Sequence, residues 1–441
     1  MSQPTITSSS IPELIHYFDT VLNLDKATFK TSNDEPTPIS CINEMIAKIP
    51  GELWQRPDLK ILDPCCGNGN FGLAILNKLL EDPRYTTGRI LESILYFNDI
   101  NQDRLANVRT IFGPSPPASY NLNITNLDFL SPEYPADILY DLIVANPPYA
   151  KLMPDGSRAS KNHNIIKPFI QASLDRLKAG GYLMFLTPDN WMSYADRNEL
   201  ITILTGYQIV HLDIHSAKKY FKKIGSSFTW YIIQKTPAHL PIQISGIWKG
   251  QPYTDTAESA IRKYIPMLYG QHVKTILDKT VDNPALAKYP VKTSSDLHRY
   301  TKRTLIQDTC DDIFKYKLIH TPRTTVYASR PHKWQDGFKV FISTTDKYGV
   351  FVDNCGMTQS IAFILCENEA DARRIKSILE HPLYVFINNI CRWGNFNNIR
   401  VLQSFPIPGP DIQGYIAGVD DPIYSYFGIT ETEKTYITEH L

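Results

Sequence analysis

The spacing of hydrophobic positions changes along the chain, and each change predicts a new element. Two amphipathic helices come first, over residues 12–22 and within residues 37–50. From about residue 58 to residue 235, short apolar runs of strand length alternate with longer runs of helical period. This alternation predicts an α/β fold with an open, mostly parallel β-sheet wrapped by helices. Ligands of such sheets bind beyond the carboxyl ends of the strands, so residues that follow strands are the first candidates for function.

Seven strands are predicted in this part of the chain. Their sequences are LKILD, ILYFNDI, LNITNLDFL, DLIVANPPY, YLMFLTP, IVHLDI and SSFTWYIIQK. Before the fifth strand, a helix is predicted from residue 163 and is expected to end at Gly180 and Gly181, since glycine suits a helix C-terminus.

The alternation stops near residue 236, where TPAHLPIQISG indicates a linker or an edge strand. Strands at 338–345 and 348–353 and helices within 369–390 follow without a β-α rhythm, which predicts a second domain of the α+β class. The predicted division is into four segments. They are an N-terminal extension (1–36), an α/β domain (37–240), an α+β domain (241–410) and an acidic C-terminal tail (411–441).

Composition narrows the class of protein. The chain has 441 residues, 43% of them hydrophobic, which excludes disorder of the whole chain. Lys and Arg equal Asp and Glu at 45 each, which excludes a generally polybasic binder. Residues 261–350 nevertheless hold 16 basic and 8 acidic residues, and residues 411–441 hold one Lys and six acidic residues. A solvated surface and a nucleic-acid contact explain this asymmetry equally well.

Cysteine usage and the hydropathy pattern bear on the setting of the protein. The chain has seven cysteines and no CxxC pair, so we predict neither a zinc ribbon nor any other metal site. An odd number of cysteines fits a reduced, intracellular setting, such as the cytoplasm of a prokaryote. Neither a signal peptide nor a membrane span is predicted from the sequence.

The first predicted strand runs into a glycine-rich turn, Asp63-Pro64-Cys65-Cys66-Gly67-Asn68-Gly69. Glycines at such a turn let the backbone approach a ligand closely. The turn is not a Walker loop, because no Gly-Lys-Ser/Thr follows, and it lacks the GxGxxG spacing of hydride-cofactor sites. An ordinary strand-to-helix turn remains the alternative.

The second and third strands also end in candidate ligand groups. Asp99, followed by Ile100, can accept the two hydroxyls of a ribose, or it can cap the next helix. Asp128 and Phe129 offer an acceptor and an aromatic face to an adenine ring. A turn aspartate beside a core phenylalanine is an equally good interpretation of that pair.

The fourth strand ends in Asn146-Pro147-Pro148-Tyr149. Two prolines make a stiff bracket that fixes the Asn146 side chain and the Pro147 carbonyl. Both groups present oxygen acceptors, which suit the two N–H donors of an exocyclic amine, and Tyr149 offers a face for stacking a base. The alternative is a rigid turn without chemistry.

Together these motifs resemble those of the S-adenosylmethionine-dependent DNA methyltransferases that modify the N6 amine of adenine, and their order resembles that of the gamma group of type II restriction-modification methylases. The resemblance is specific over residues 37–235 and vague over residues 245–410. It implies a Rossmann-like methyltransferase domain with a mostly parallel, seven-stranded sheet, followed by a target-recognition domain. It further implies that Thr37 helps to hold the methionine carboxylate and that residues 63–69 surround the methionine. Cys66, Asn70 and Asn101 depart from the residues most frequent in the family.

The resemblance also implies the roles of the remaining candidates. Asp99 and Ile100 would take the ribose side of the cofactor, Asp128 and Phe129 its adenine, and Asn146 and Pro147 the target amine. The target base would be flipped out of the duplex, because its amine cannot be reached inside it. Tyr149 and Phe221 would then stack on the two faces of the base, with Tyr220 and Phe228 as the alternatives to Phe221. The candidates for contact with DNA are Lys223, Arg323, Arg330, Lys333 and Arg392.

Three rival interpretations remain. Methyltransferases that act on protein glutamine or on RNA use the same NPPY motif, since an amide poses the same chemical problem. A catalytically idle DNA-binding protein on the same fold is disfavoured by the intact motif. A fused nuclease finds no room in residues 1–36, whereas a separate restriction endonuclease as partner stays open.

Overall fold

The computed structural model describes ten stretches of the chain. They are residues 3–24, 35–114, 119–149, 165–195, 198–221, 227–260, 263–345, 347–394, 396–414 and 421–441. Lys223 lies outside the described residues.

The chain divides into two compact units. The first comprises Met1–Asp189 and Glu199–Ala260, and the second comprises Asn190–Asn198 and Ile261–Leu441. The boundary therefore lies at residue 260 and not at the predicted residue 240. The physical reason is that residues 242–257 form two strands that extend the sheet of the first unit.

The described residues of the first unit contain a nine-stranded sheet in the order β3-β2-β1-β4-β5-β7-β6-β8-β9. The strands are β1 (Ile61–Asp63), β2 (Leu95–Asn98), β3 (Asn123–Thr125), β4 (Tyr140–Ala145), β5 (Leu177–Pro188), β6 (Gln208–Ile214), β7 (Phe228–Gln234), β8 (Ile242–Trp248) and β9 (Gln251–Ala257). From β3 to β5 all neighbours are parallel, whereas β7 is antiparallel to β5 and to β6, and β9 is antiparallel to β8. The predicted α/β class holds, but the sheet is mixed and larger than seven strands.

The order of the strands predicts where in the first unit a ligand binds. From β1 the chain moves outward to β2 and β3, and it then returns to the other side of β1 with β4 and β5. Such a reversal of direction opens a crevice at the carboxyl ends of the strands. The residues that follow β1 and β4 border this crevice, and both of the strongest sequence motifs lie there.

Helices join most of these strands, and the longer helices bury apolar side chains. In chain order the described helices are α1 (Ile11–Thr20), α2 (Ile39–Ile46), α3 (Asn70–Leu79), α4 (Thr87–Arg89), α5 (Gln102–Phe112), α6 (Ile166–Arg176) and α7 (Glu199–Leu204). Ser10 begins α1 with a capping box that includes Glu13. Leu14 and Phe18 on α1 are fully buried, and the Phe18 ring meets Phe112 of α5, so α1 belongs to the core of the first unit.

The structure corrects the predicted end of the helix before β5. Helix α6 ends at Arg176, and the chain enters β5 at Leu177, before the two glycines. Leu177 pairs with Tyr140 of β4, and the register shifts between Tyr140 and Leu142. Gly180 has a φ of +69°, so it serves an irregularity within the strand instead of a helix end.

The second unit mixes strands and helices. Its described strands are β10 (Lys292–Thr293), β11 (Ile306–Gln307), β12 (Tyr316–Thr321), β13 (Thr324–Ala328), β14 (Lys339–Ser343), β15 (Val350–Asp353), β16 (Gly356–Met357) and β17 (Ile361–Leu365). They form two four-stranded sheets, β10-β17-β14-β15 and β11-β13-β12-β16. The described helices are α8 (Gln271–Lys279), α9 (Glu369–Leu379), α10 (Pro382–Ile390), α11 (Ile399–Gln403), α12 (Pro422–Tyr426) and α13 (Glu431–His440).

The predicted acidic tail is corrected as well. Residues 421–441 form α12 and α13, whose Ile423 and Ile437 are fully buried in the second unit. One of its acidic residues is buried and paired: Glu433 forms an ion pair with Lys279 of α8 at 2.6 Å. In the part of the chain that the structure describes, no helix is long and apolar enough to cross a membrane.

Candidate functional site

The turn from β1 into α3 adopts a backbone that only glycine accepts easily. Gly67 and Gly69 have φ values of +56° and +94°, in the left-handed region. A Cβ on Gly69 would lie 2.7 Å from the Phe112 ring, whereas one on Gly67 would meet nothing within 4 Å. Gly69 is thus required by packing as well as by its φ, and Gly67 borders open space at the crevice.

Asp63 stands at the base of this turn with one oxygen unused. Its Oδ1 accepts from the Cys65 backbone N–H at 3.2 Å. Its Oδ2 is buried and has no hydrogen-bond partner among the described residues. Burial raises the pKa of Asp63 well above its usual range, and the nearby Asp99 adds to the effect. A buried acceptor without a partner suits a ligand that brings a donor or a positive charge.

Asp99 connects the ends of β1 and β2. One of its oxygens accepts from the Gly67 N–H at 2.8 Å, and the other accepts from the Asn101 N–H at 2.8 Å. Ile100 beside it is 72% exposed, an unusual exposure for a large apolar side chain. The carboxylate and an exposed apolar side chain thus lie together at the end of β2.

Asn98 is a site residue that the motif analysis passed over. Its Nδ2 donates to the Pro64 carbonyl at 2.8 Å and to the Leu127 carbonyl at 3.1 Å, and its Oδ1 accepts from the Leu127 N–H. The side chain therefore ties together the chain segments that follow β1, β2 and β3. A buried amide at the last position of a hydrophobic strand was the available signal.

The third strand end is packed more tightly than predicted. Phe129 is 2% exposed, with the rings of Tyr134 and Phe169 each at 4.9 Å and the Arg176 guanidinium at 5.0 Å. Asp128 is exposed, and its Oδ1 accepts from the Leu130 N–H at 2.9 Å. Both residues have protein contacts that explain their positions, so their cofactor contacts stay predictions.

The amide of Asn146 has one possible orientation. Its Nδ2 lies 3.0 Å from the Glu35 carbonyl and 3.1 Å from the Thr37 hydroxyl. Because a carbonyl can only accept, the nitrogen must face Glu35, and Oδ1 points the other way. The Cys65 thiol also donates to the Asn146 carbonyl, at 3.5 Å. Thr37, Cys65 and Asn146, all predicted site residues, are therefore in direct contact.

Oδ1 of Asn146 accepts from the hydroxyl of Tyr149. Pro147 is buried and Pro148 is exposed between them. The Tyr149 ring is half-buried and lies 6.0 Å from the Phe228 ring. The motif is thus a closed bracket in which tyrosine covers the acceptor that the sequence assigned to the substrate.

Phe221 does not present the ring face that the prediction required. It is 3% exposed, and its ring lies 4.7 Å from that of Phe228. Phe221, Phe228 and Tyr149 form a continuous row of rings beside Asn146. In this state Phe221 supports the row from within, because Phe228 lies between it and Tyr149.

The candidates for DNA contact in the second unit have different surroundings. Arg323 is exposed in the turn between β12 and β13, and Lys333 is exposed with its Nζ 6.0 Å from the Trp334 ring. Arg330 forms an ion pair with Asp296 at 2.7 Å, which holds the pKa of Asp296 at about 2. Arg392 is half-buried. Arg330 therefore has a structural partner, whereas Lys333 extends into solvent.

The residues at the crevice fit S-adenosylmethionine. The unused oxygen of Asp63 suits its positive charge, the open space at Gly67 leaves room for it, and Ile100 offers apolar surface beside the Asp99 carboxylate. Within the described ranges, no group of three or more His, Cys, Asp or Glu side chains is arranged to hold a metal ion.

Comparisons with known proteins give the relatives of this chain. Residues 84–221 match the family model described as Eco57I restriction-modification methylase. The type II methyltransferase M.VspI of Vibrio sp. (strain 343) is 27% identical over 205 residues, which cover 44% of this chain and 47% of that protein. The chain thus matches about half the length of this curated relative.

Two solved structures share the fold. The type IIL restriction-modification enzyme MmeI in complex with DNA has a TM-score of 0.57 at 11% identity, over 99% of this chain and 78% of that one. The DrdV–DNA complex has a TM-score of 0.55 at 10% identity, over 98% and 60%. In sequence, residues 84–221 are therefore similar to the restriction-modification methylases of the Eco57I family, and in fold the chain is similar to MmeI.

Proposed function

We propose that this protein is a site-specific DNA methyltransferase that transfers the methyl group of S-adenosylmethionine to the N6 amine of an adenine. The observation that carries the proposal is the fixed amide of Asn146 at the end of β4, held beside the glycine turn that follows β1. The match of residues 84–221 to restriction-modification methylases and the likeness in fold to MmeI in its DNA complex support it.

The cofactor residues follow from the crevice. Asp63 and the turn to Gly69 would hold the methionine part, Asp99 and Ile100 the ribose side, and Asp128 and Phe129 the adenine. Thr37 would act from the other side, where its hydroxyl contacts Asn146. When bound, S-adenosylmethionine supplies a methyl group of high electrophilicity.

The chain's own part in catalysis is to prepare the target amine. The lone pair of an adenine amine is delocalised into the ring, so the amine is a poor nucleophile. Asn146 Oδ1 and the Pro147 carbonyl would accept its two N–H groups and favour a pyramidal nitrogen. The Tyr149 hydroxyl, which now donates to Oδ1, would turn away so that its ring can stack on the base. This is catalysis by positioning and by electrostatics.

The substrate class is the first point to test. We would incubate the protein with labelled S-adenosylmethionine and, separately, with duplex DNA, RNA and a protein mixture. Label in DNA that digests to N6-methyl-2′-deoxyadenosine nucleotides supports the proposal. Label in glutamine residues or in RNA would favour the alternative that the same NPPY bracket allows, and label in no polymer would contradict both.

The second unit would read the DNA, with Lys333, Arg323 and Arg392 as candidate contacts. Lys333→Glu should weaken DNA binding and lower the slope of log affinity against log salt by about one, because one phosphate contact is lost. Lys434→Glu is the matched control, since Lys434 is occupied by Glu431 at 2.6 Å on α13. Equal salt slopes for the two variants would remove Lys333 from the interface.

A further inference from the structure

A buried carboxylate outside the crevice organises the end of β6. Asp213 is fully buried, and three donors converge on it. Its Oδ1 accepts from the Ala217 N–H at 3.2 Å, and its Oδ2 accepts from the hydroxyls of Ser216 and, at 2.9 Å, of Ser245 on β8. The ionised carboxylate only accepts and suits all three of these bonds, whereas protonation places a donor among these donors and weakens the set.

The network continues to His211. Ser245 has a single hydroxyl proton, which it gives to Asp213, so at 2.9 Å it must accept from Nε2–H of His211. Burial lowers the pKa of His211 to about 4, and its ring is stacked on Trp230 at 4.6 Å. His211 therefore stays neutral near pH 6 while it holds Ser245. Together with Lys48, it lines a surface groove of about 530 Å³.

The Asp213 network fixes the start of the Ser216–Phe221 segment, and α2 fixes its other end. Glu44 on α2 forms an ion pair with Lys219 at 2.7 Å and accepts from the Tyr220 hydroxyl at 2.6 Å. Phe221 follows at once, and its ring supports Phe228, which lies 6.0 Å from Tyr149. The segment thus joins the buried carboxylate to the ring row beside Asn146.

We propose that Asp213 is a positioning residue which, through Ser216 and Ala217, holds the Ser216–Phe221 segment and so sets the ring row against which the target base is captured. This inference rests on the proposed function for the identity of the base. The hold on the segment itself is a property of the chain without DNA, and it can be tested separately.

The ionisation of Asp213 makes its hydrogen-bond network sensitive to pH near 6. Burial raises the pKa of Asp213 to about 6, against the effect of the bonds from Ser216, Ser245 and Ala217. Burial opposes ionisation of Glu44, but bonds from Lys219 and Tyr220 hold its pKa below the usual value. Burial raises the pKa of Cys41 on α2 and of Tyr220 far above neutrality, and Lys48 and Lys219 are the cations nearby. Burial also lowers the pKa of His215, which directly precedes Ser216, from its usual value. Among the groups that form the hydrogen bonds of the network, Asp213 is the one whose pKa lies near 6.

Asp213→Asn imitates the protonated state at every pH, because its amide also replaces one acceptor by a donor. In the chain without DNA, we expect the amide hydrogens of Tyr220 and Phe221 to exchange about tenfold faster in this variant, on the scale of one lost buried hydrogen bond. Those amides donate to Ala217 and Lys218 and not to Asp213, so they report on the segment. The melting temperature of the variant, measured in parallel, shows whether the protein as a whole is folded when the segment exchanges faster.

The second readout is the extrusion of the target base, followed by 2-aminopurine fluorescence in duplex DNA. The wild-type signal should fall as the pH falls through about 6, whereas Asp213→Asn should give the low signal throughout. Affinity for S-adenosylmethionine should be the same in both proteins.

Asp255→Asn is the matched control on β9, and it should behave as the wild type. If Asp213→Asn does not fold, Ser216→Ala, which removes one donor to Asp213, should show the same changes to a smaller degree.

Unchanged exchange at Tyr220 and Phe221 in folded Asp213→Asn would overturn the inference, whatever the substrate proves to be. The same holds for a wild-type pH profile of extrusion in that variant. If the wild type extrudes no base from DNA while exchange responds to Asp213 as expected, the proposed function fails and the hold on the segment stands.

Discussion

At the scale of single residues, the amide of Asn146 joins the substrate side of the site to the cofactor side. Asn146→Ala should lower kcat by roughly 10²–10³, the scale of a lost acceptor that acts in the transition state. It should also weaken cofactor binding, because Thr37 loses its contact with Nδ2. Steady-state methylation and calorimetry with S-adenosylmethionine measure the two effects.

Thr37→Val is the matched control for the second effect. It removes the hydroxyl that meets Asn146 and leaves Oδ1 in place, so cofactor affinity should fall while most of kcat is kept. Full methylation activity in Asn146→Ala would mean that the NPPY segment is only a rigid turn.

The raised pKa of Asp63 leads to a prediction about protons. Burial favours the protonated form in the empty site. A positively charged ligand favours the ionised form, so cofactor binding should release protons, and cofactor affinity should increase as the pH rises. Calorimetry in buffers of different ionisation enthalpy counts these protons. Asp63→Asn should abolish the release, whereas Asp103→Asn, at an exposed carboxylate on α5, should leave it as in the wild type.

At the scale of elements, the turn from β1 into α3 contains two glycines, Gly67 and Gly69, that are required for different reasons. Gly67→Ala should cost only the left-handed backbone, about 1–2 kcal/mol of unfolding free energy. Gly69→Ala should cost more, because its Cβ would also lie 2.7 Å from the Phe112 ring. Urea denaturation of the two variants measures the difference. Equal losses would show that the Phe112 ring gives way without cost.

The turn and its flanking elements were predictable because their signals are local. A buried apolar run, glycines and an amphipathic run follow one another from residue 59 to residue 79. The start of β5 was not predictable in this way, since the Leu-Lys-Ala run favours a helix and the strand forms by pairing with β4. Strand β8 was predicted only as a linker or an edge strand, because its place in the sheet depends on a long-range pairing with β6. Strand β9, which pairs with β8, was missed.

At the scale of the whole molecule, the candidate residues on strand ends could be selected from the sequence because parallel strands bring their ends together. Residues that join segments distant in sequence were not found. Asn98 shows no motif, and the contact of Asn146 with Glu35 joins the end of β4 to a segment before α2. The Asp213 network likewise draws its partners from β8 and from the segment after β6. Such contacts become visible only with the topology.

The C-terminal helices give the last prediction. Glu433 is 5% exposed in its side chain and accepts from Lys279, Thr275 and the Thr430 N–H, whereas Glu431 is 88% exposed and pairs with Lys434. Glu433→Ala removes a buried, charged acceptor that takes hydrogen bonds from three donors, and it should cost about 1.5–3 kcal/mol of unfolding free energy in the second unit. Glu431→Ala should cost less than about 0.5 kcal/mol.

The pH dependence of the unfolding free energy tests whether Glu433 stabilises the second unit through its charge. Burial raises the pKa of Glu433, but the bonds from Lys279, Thr430 and Thr275 outweigh it and hold the pKa below its usual value. A carboxyl group with a lowered pKa in the folded state stabilises above its unfolded pKa, and that contribution is lost as the pH falls through the folded value. The difference in unfolding free energy between wild type and Glu433→Ala should therefore be full near pH 7 and shrink below about pH 4. A difference that persists unchanged at pH 3 would mean that Glu433 stabilises the second unit through the packing of its methylene groups. Its negative charge would then not be the cause of the stabilisation.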